Sequence, residues 1–483
     1  MSQHRLFIGG RWEEGATRRE IRSPFSGAAV ASAHQASPEQ MERALSCAAA
    51  SFLEFRRVSR CGRARLLSAL SRGIESRRAE FVESIVAEAG KPRTLADAEV
   101  TRAAGVFALA AEEARRLGGE VVPVDIDAAG RAYAPAVSTW VPKGPVLAIG
   151  PFNFPLNLIA HKVAPALAVG ASVLVKPPPQ APGAARLLAE VFEAASEDVS
   201  DSRETIPSGA LQVLSAADDV VATAVSDPRI AVLSFTGSDK VGWLLQEKAI
   251  RKKVVLELGG DAAVIVAEDA DLERAAARCA FGAFAYAGQV CISVQRVLLQ
   301  KSISARFTEL FLTATAKVAS GDPGRRDVLA GPLIDAAAAD RVMAWIAEAK
   351  AGGAKVLAGG TRAGNMIAPT VLTGVPATAK LSREEAFGPV ALLSEYADFD
   401  DALAAVNSSR FGLQAGLFTD SESRVRRAAE ELEVGGLVVN DAPTYRADHL
   451  PYGGVKDSGL GREGVRCAME ECCERRVVVR WKG

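Results

Sequence analysis

The sequence predicts an α/β protein with two doubly wound parallel-sheet domains and a small β arm. Three observations carry that reading. Between Pro145 and Leu258 short apolar runs alternate with amphipathic stretches, and after Gly260 the same alternation starts again. Two further β-like segments, 131–141 and 475–481, fit neither unit. Strands alternating with helices fold as parallel sheets with right-handed crossovers.

In the first unit the apolar runs are 146–149, 172–175, 211–214, 230–235 and 253–256, short enough for buried strands. Helical spacing fills 181–195 and 238–250, and a longer helical pattern precedes the unit at 96–115. In the second unit 263–266, 294–300, 390–395 and 437–440 read as strands. Between and around them 271–286, 303–318, 336–351, 400–407 and 421–432 read as helices. Two such units leave a cleft between them, with ligands at the carboxyl ends of the strands. The segments 131–141 and 475–481 are expected to pair as an arm, and a second subunit is the usual cover for its exposed edge.

The chain has 483 residues, enough for about three domains. Hydrophobic residues make up 49% and charged residues 24%, the balance of an ordinary globular protein with a large core. A formal net charge of -1 gives no basic field to draw nucleic acid or a membrane surface, so neither is expected as a partner. The stretch 144–160 is uncharged, but three prolines and two asparagines break it as a membrane span. The start, MSQHRLFIGGRWEEG, has no apolar run of the kind a secretion signal needs. Seven cysteines without regular spacing point to free thiols in a reducing compartment, the cytoplasm. Cys467, Cys472 and Cys473 have no histidine at ligand spacing, so no metal site is expected.

Gly459, Gly461 and Gly464 spell G-x-G-x-x-G, but no apolar strand precedes them and 19 residues follow, too few for a nucleotide-binding half. The better phosphate site is Ser234-Phe235-Thr236-Gly237-Ser238, which follows a strand and opens a helix whose N–H groups can face a pyrophosphate. Four other stretches carry chemistry. Cys291 follows a helix end at Gly288, in the loop before a strand. Glu257 ends an apolar run and precedes two glycines; a buried glutamate is costly unless it is paired or works. Asn153 sits between Pro151 and Pro155 in a stiffened turn after a strand, and Lys176 ends a strand before three prolines. Asn153, Lys176, Ser238 and Glu257 would converge on one sheet edge and face Cys291 from the next domain.

Here the chain closely resembles the aldehyde dehydrogenase superfamily, from about Phe7 to the C-terminus. The matching stretches are PFNFP, KPPPQAP, FTGSDKVG, ELGG, GQVCIS, EEAFGPV and PYGGVKDSGLGREG, in that order, and the last resembles the lactaldehyde dehydrogenase-like branch. The resemblance implies an NAD(P)-binding domain (1–120 and 142–256), a catalytic domain (257–455) and an oligomerisation arm (121–141 and 456–483) in a homodimer or homotetramer. It implies a catalytic set of Cys291, Glu257, Asn153 and Lys176. The Cys291 thiolate attacks the aldehyde, Asn153 and the Cys291 N–H hold the oxyanion, and Glu257 activates water for thioester hydrolysis. CoA-acylating relatives lack the glutamate that Glu257 supplies, so water is the expected acceptor. Ile149, Pro151, Phe152, Lys176, Pro179, Gly209, Gly237, Ser238, Leu258, Glu385 and Phe387 are implied to contact NAD(P). Glu463 matches a position sometimes given a second proton-relay role, and reads equally as a structural carboxylate.

Two departures bear on specificity. NAD-preferring relatives have a glutamate three residues after the lysine, where this chain has Pro179, so NADP is expected to be used appreciably. Relatives acting on phosphorylated aldehydes have arginines at the positions of Arg102 and Arg446 and a third beside the nucleophile, where this chain has Val290. A small carboxylated or otherwise anionic aldehyde is therefore the expected substrate.

Overall fold

The first sheet of the computed structural model, which describes residues 2–200 and 204–483, is built on five parallel strands. Across it they run Leu211–Val213, Val173–Lys176, Val146–Ile149, Val232–Thr236 and Lys253–Glu257. Numbered along the chain this order is 3-2-1-4-5, and the direction of winding reverses between Val146–Ile149 and Val232–Thr236. Such a reversal opens a crevice at the carboxyl ends of the two strands. Residues alternate between faces with period two. Val146 and Ala148 pack into one core with Val173, Val175, Phe107, Leu167 and Phe192. Leu147 and Ile149 pack into the other with Leu174, Leu233, Phe235 and Met41. Both faces are covered, which is why these strands are apolar throughout.

The second sheet has Ala263–Val266 and Arg296–Gln300 at its centre. Val390–Tyr396 and Thr370–Thr373 extend it parallel on one side, and Gln414–Phe418 and Gly436–Val439 on the other. The α/β class with two wound sheets is thus the fold of the chain. Among the described residues no helix is long and apolar enough to cross a membrane.

The two distant β segments do pair: Cys473–Trp481 runs antiparallel to Tyr133–Pro142, with Glu120–Val122 on the far side. The arm is smaller than the expected 121–141 and 456–483. Gly459–Leu460 joins the edge of the first sheet, antiparallel to Leu256 and Glu257. Helix Val465–Glu471 buries Val465 and Met469 in the first core. Gly459–Leu460 and Val465–Glu471 therefore pack with the first sheet and its core, whereas Val455–Lys456 pairs with Phe411–Gly412. The pairing of Gly459–Leu460 disposes of the Gly459 glycine motif as a nucleotide loop.

Several buried elements have no counterpart in the sequence reading, among them a helix and a strand near the site. Helix Asn157–Val169 is buried along its whole length, so it shows no amphipathic period, and Pro165 lies inside it. Strand Gln414–Phe418 is likewise buried throughout and too short to stand out.

Candidate active site

The pairing register places Ile149 beside Lys176 and Phe235, and Thr236 beside Glu257. These residues form one row along the carboxyl edge of the first sheet. The turn 151–155 rises from the same edge. Phe152 on that turn meets Phe387 of the second domain edge to face, with ring centroids 6.0 Å apart, which locates the cleft between the domains.

Cys291 is brought to this edge by an unusual loop. Helix Leu272–Phe284 stops, and Tyr286, Ala287 and Gly288 all take positive φ values of 53°, 52° and 68°. Left-handed backbone at two non-glycine residues is strained and must be held by its surroundings. The Tyr286 phenol donates to Ala89 O at 2.9 Å, and the buried Gln289 amide donates to Pro332 O at 3.1 Å and accepts from Ile334 N–H at 2.9 Å. Gly260 lets the loop approach, since a Cβ there would lie 2.7 Å from Cys291 O. Asn153 ties the loop to the first domain: its amide donates to Gln289 O at 2.9 Å and accepts from Phe154 N–H at 3.1 Å. The second N–H of that amide remains for a ligand. Lys91, fully buried, donates to Asn153 O at 3.0 Å and to Glu99 at 2.6 Å, and Glu99 accepts the N–H groups of Leu156 and Asn157.

The Cys291 sulfur lies 3.3 Å from the Tyr452 phenol oxygen. Burial pushes its pKa up to about 12, against the Tyr452 hydrogen bond, with Glu385 and Glu257 adding to the rise and Arg446 opposing it. Glu257 is 3% exposed, and among the described residues neither carboxylate oxygen has a hydrogen-bond partner. Burial and then the charge of Glu463 raise its pKa well above the usual carboxylate range. Glu463 is buried as deeply but accepts from Lys162 at 2.9 Å and Arg446 at 3.0 Å, and those cations hold its carboxyl low against burial.

The expected cofactor residues gather at the crevice. The Lys176 ammonium makes no hydrogen bond or ion pair among the described residues; burial lowers its pKa, and Arg19 lowers it further against Asp218. Ser238 caps helix Asp239–Lys248, placing that helix's N-terminus beside Gly237 at the edge. Leu258 packs over Gly242, and Glu385 accepts one hydrogen bond, from Gly260 N–H at 3.0 Å, with burial raising its pKa to about 8. Phe387 has a positive φ of 43°. A free cation, a capped helix N-terminus and a carboxylate at a switch point fit a dinucleotide. Pro151 and Pro179 are partly exposed beside them.

Gly209 does not join this set. It lies at the amino end of strand Leu211–Val213, packed under Ser51 and Cys47, at the opposite edge of the sheet from Lys176. The glycine reads as a loop residue in sequence, and only the strand's direction puts it on the wrong side.

The two candidate anion-binding arginines are already engaged. Arg102 grips Asp448 with two bonds, 3.1 and 2.6 Å, and His161 reaches the same carboxylate at 2.9 Å. Arg446 bonds Glu463, lies 3.9 Å from Asp448 and covers the Tyr452 ring at 3.7 Å, but its buried Nε–H has no partner. Asp441 is held by Arg278. Lys162, Tyr452 and Gln289 were not singled out from sequence. Lys162 had a signal, being a lone charge within an otherwise apolar run.

Comparison with known proteins bears on what this arrangement is. The family model described as the aldehyde dehydrogenase family matches residues 12–478. The chain is 40% identical over 480 residues to a 3-sulfolactaldehyde dehydrogenase of Priestia aryabhattai, covering 99% of this chain and 98% of the relative. It superposes on aldehyde dehydrogenase 21 of Physcomitrella patens, solved with the reaction product succinate, with a TM-score of 0.96, 36% identity and coverage of 100% and 99%. It superposes on glyceraldehyde-3-phosphate dehydrogenase GapN of Methanocaldococcus jannaschii, solved with NADP, with a TM-score of 0.91, 35% identity and coverage of 96% and 99%. With a cysteine, a buried glutamate and a nucleotide crevice at one edge, and matches across nearly its whole length, this chain belongs to the aldehyde dehydrogenase family.

Proposed function

We propose that the chain oxidises a short aldehyde carrying a polar or anionic group to its carboxylic acid, with NAD(P) as oxidant and water as the acyl acceptor. The observation that carries the reading is Glu257, buried with both oxygens unpartnered among the described residues and near enough for its charge to oppose ionisation of Cys291. A buried carboxylate without hydrogen-bond partners is a strong base once ionised. The Cys291 thiolate attacks the carbonyl carbon, and the oxyanion is held by the Cys291 N–H and the spare Asn153 N–H, each worth ~3 kcal/mol of barrier. Lys176, the helix start at Ser238 and Glu385 would hold NAD(P)+, which would supply the hydride acceptor for that carbon. Cys291 then carries a thioester, Glu257 takes a proton from water, and the resulting attack releases the acid and the thiolate.

Several features support the finer details. The sulfolactaldehyde and succinate relatives act on or release sulfonated and carboxylated molecules. Arg446 keeps one unpartnered buried N–H, whereas Arg102 is spent on Asp448, which favours a monoanion over a phosphate dianion. Lys176 with Arg19 nearby, and Pro179 where a carboxylate would repel, favour acceptance of NADP alongside NAD. Exposed Val477, Val478, Val479 and Trp481 on the arm favour a homodimer or homotetramer, and the free cysteines suit the cytoplasm.

The test compares charged and neutral aldehydes of equal length in wild type and Arg446→Ala, with both cofactors and with Cys291→Ala as the inactive control. The reading expects kcat/KM to fall selectively for the anionic aldehyde in Arg446→Ala, by roughly 2–5 kcal/mol. Equal losses would remove the anion preference, and turnover by Cys291→Ala would remove the mechanism.

A further inference from the structure

We propose that Tyr452 is a catalytic residue, its phenol donating a hydrogen bond to the Cys291 sulfur and stabilising the thiolate that attacks the aldehyde. The proposal rests on the reading of Cys291 as nucleophile. The contact is 3.3 Å and fully inside the protein, with Tyr452 only 6% exposed. The phenol is held there by backbone and cation together. Tyr452 exchanges two backbone hydrogen bonds with Glu463, at 3.0 and 2.6 Å. Arg446, bonded to Glu463, lies over its ring at 3.7 Å, and Ile292 and Leu413 pack beside it. A cation over the ring draws electron density from the phenol and makes its O–H a better donor.

Which partner gives the proton follows from the surroundings. Burial, together with the charges of Cys291 and Glu257, raises the phenol well above its ordinary 10, and Arg446 only partly offsets this. A thiol is ordinarily more acidic than a phenol and both groups share this buried site, so in the reactive state the phenol keeps its proton and the thiolate accepts. The groups facing that thiolate are Glu385 and Glu257, which oppose its charge, and Arg446 and Tyr452, which favour it. With the spare Asn153 N–H reserved for the substrate oxygen, Tyr452 is the neutral donor directly on sulfur. No proton moves from it. As the carbon–sulfur bond forms, the sulfur loses its charge and the hydrogen bond weakens.

The experiment follows alkylation of Cys291 by iodoacetamide against pH, with labelled peptides identified by mass spectrometry, in wild type and Tyr452→Phe. Phenylalanine keeps the ring under Arg446 and removes only the donor. A charge-assisted hydrogen bond of ordinary strength shifts the thiolate equilibrium about tenfold, one pH unit. A less acidic thiol is also intrinsically more nucleophilic, with a Brønsted slope of about 0.5. Tyr452→Phe should therefore slow alkylation about threefold at every pH below the transition, since about tenfold less thiolate is offset by about threefold greater nucleophilicity. Rates that coincide in the two proteins from pH 6 to 9, about the range the folded protein tolerates, while Cys291 is still the residue labelled would overturn the role of Tyr452 and leave the nucleophile standing. Aldehyde oxidation by Cys291→Ala would overturn the nucleophile and the proposal with it.

Discussion

Glu257 and Glu463 are two glutamates buried to the same depth in one charged neighbourhood, and their surroundings treat them in opposite ways. Glu463 has Lys162 and Arg446 within hydrogen-bond reach, so its charge is matched and its proton is lost readily. Glu257 has no hydrogen-bond partner among the described residues, and the negative charge of Glu463 presses on it further. The same contrast runs through the region. The side facing the cleft holds groups with spare capacity: Cys291, Glu257, the Lys176 ammonium and one Asn153 N–H. Behind it lie completed pairs, Lys91 with Glu99, Arg102 with Asp448, and Lys162 with Glu463. Polar groups left unsatisfied at a cleft are available to a ligand, while satisfied ones hold the frame. Two carboxylates whose environments push their pKa values apart are also the usual mark of divided acid–base labour.

The comparison breaks most sharply on turnover. Glu257→Gln should retain a burst of reduced cofactor near one equivalent per site and then turn over ~1000-fold more slowly, because hydrolysis loses its base while acylation does not. Adding CoA distinguishes the acceptors, since faster release of the stalled thioester onto CoA than onto water would count against water as the natural acceptor. Loss of the burst would instead place Glu257 in Cys291 activation.

A smaller effect is expected from the paired side. Lys162→Met leaves Glu463 short of one buried cation and should lower unfolding free energy by about 3 kcal/mol, read as a lower urea midpoint at unchanged slope. Replacing both Lys162 and Glu463 with apolar residues should recover part of that loss. A Lys162→Met protein as stable as wild type would mean that Arg446 alone satisfies Glu463.

The smallest effect is in pH-dependent stability, and its sign follows from burial. Below about its ordinary pKa of 4.5 Glu257 is protonated folded or unfolded and contributes nothing. Above it the unfolded chain releases the proton and the folded chain keeps it, so wild-type stability falls with rising pH until the folded group ionises. Glutamine removes that loss. Thermal midpoints of Glu257→Gln should thus match wild type near pH 4 and exceed it increasingly towards pH 8. A constant difference across this range would show that Glu257 finds stabilising partners in solution.

Much of this was legible in the chain. The apolar runs 146–149 and 263–266 and the helix 336–351 coincide with the observed elements, because a buried strand leaves a short unbroken apolar run and a half-buried helix leaves a period. The helix Asn157–Val169 was lost for the converse reason: with no solvent face it has no period, and prolines at 155 and 165 read as breaks. The Cys291 loop was visible as a helix stop at Gly288. The left-handed turn through Tyr286 and Ala287 was not, because it is imposed by contacts with Ala89 and Pro332 that are far away in sequence.

By itself the sequence determined the α/β class, the family and the residue types of the reaction, since periodicity and ordered motifs are properties of the chain alone. Tertiary structure decided which polar groups are spent and which are free. Arg102 and Arg446 look equivalent as candidate anion receptors until Asp448 closes one and Glu463 takes only part of the other. Gly209 and Lys176 look equally close to a nucleotide until strand direction puts them at opposite edges of one sheet. The reason is the range of the interactions: a period is written in neighbours a few residues apart, whereas a buried charge is matched by partners such as Lys162 and Glu463, brought together from 301 positions apart only by folding.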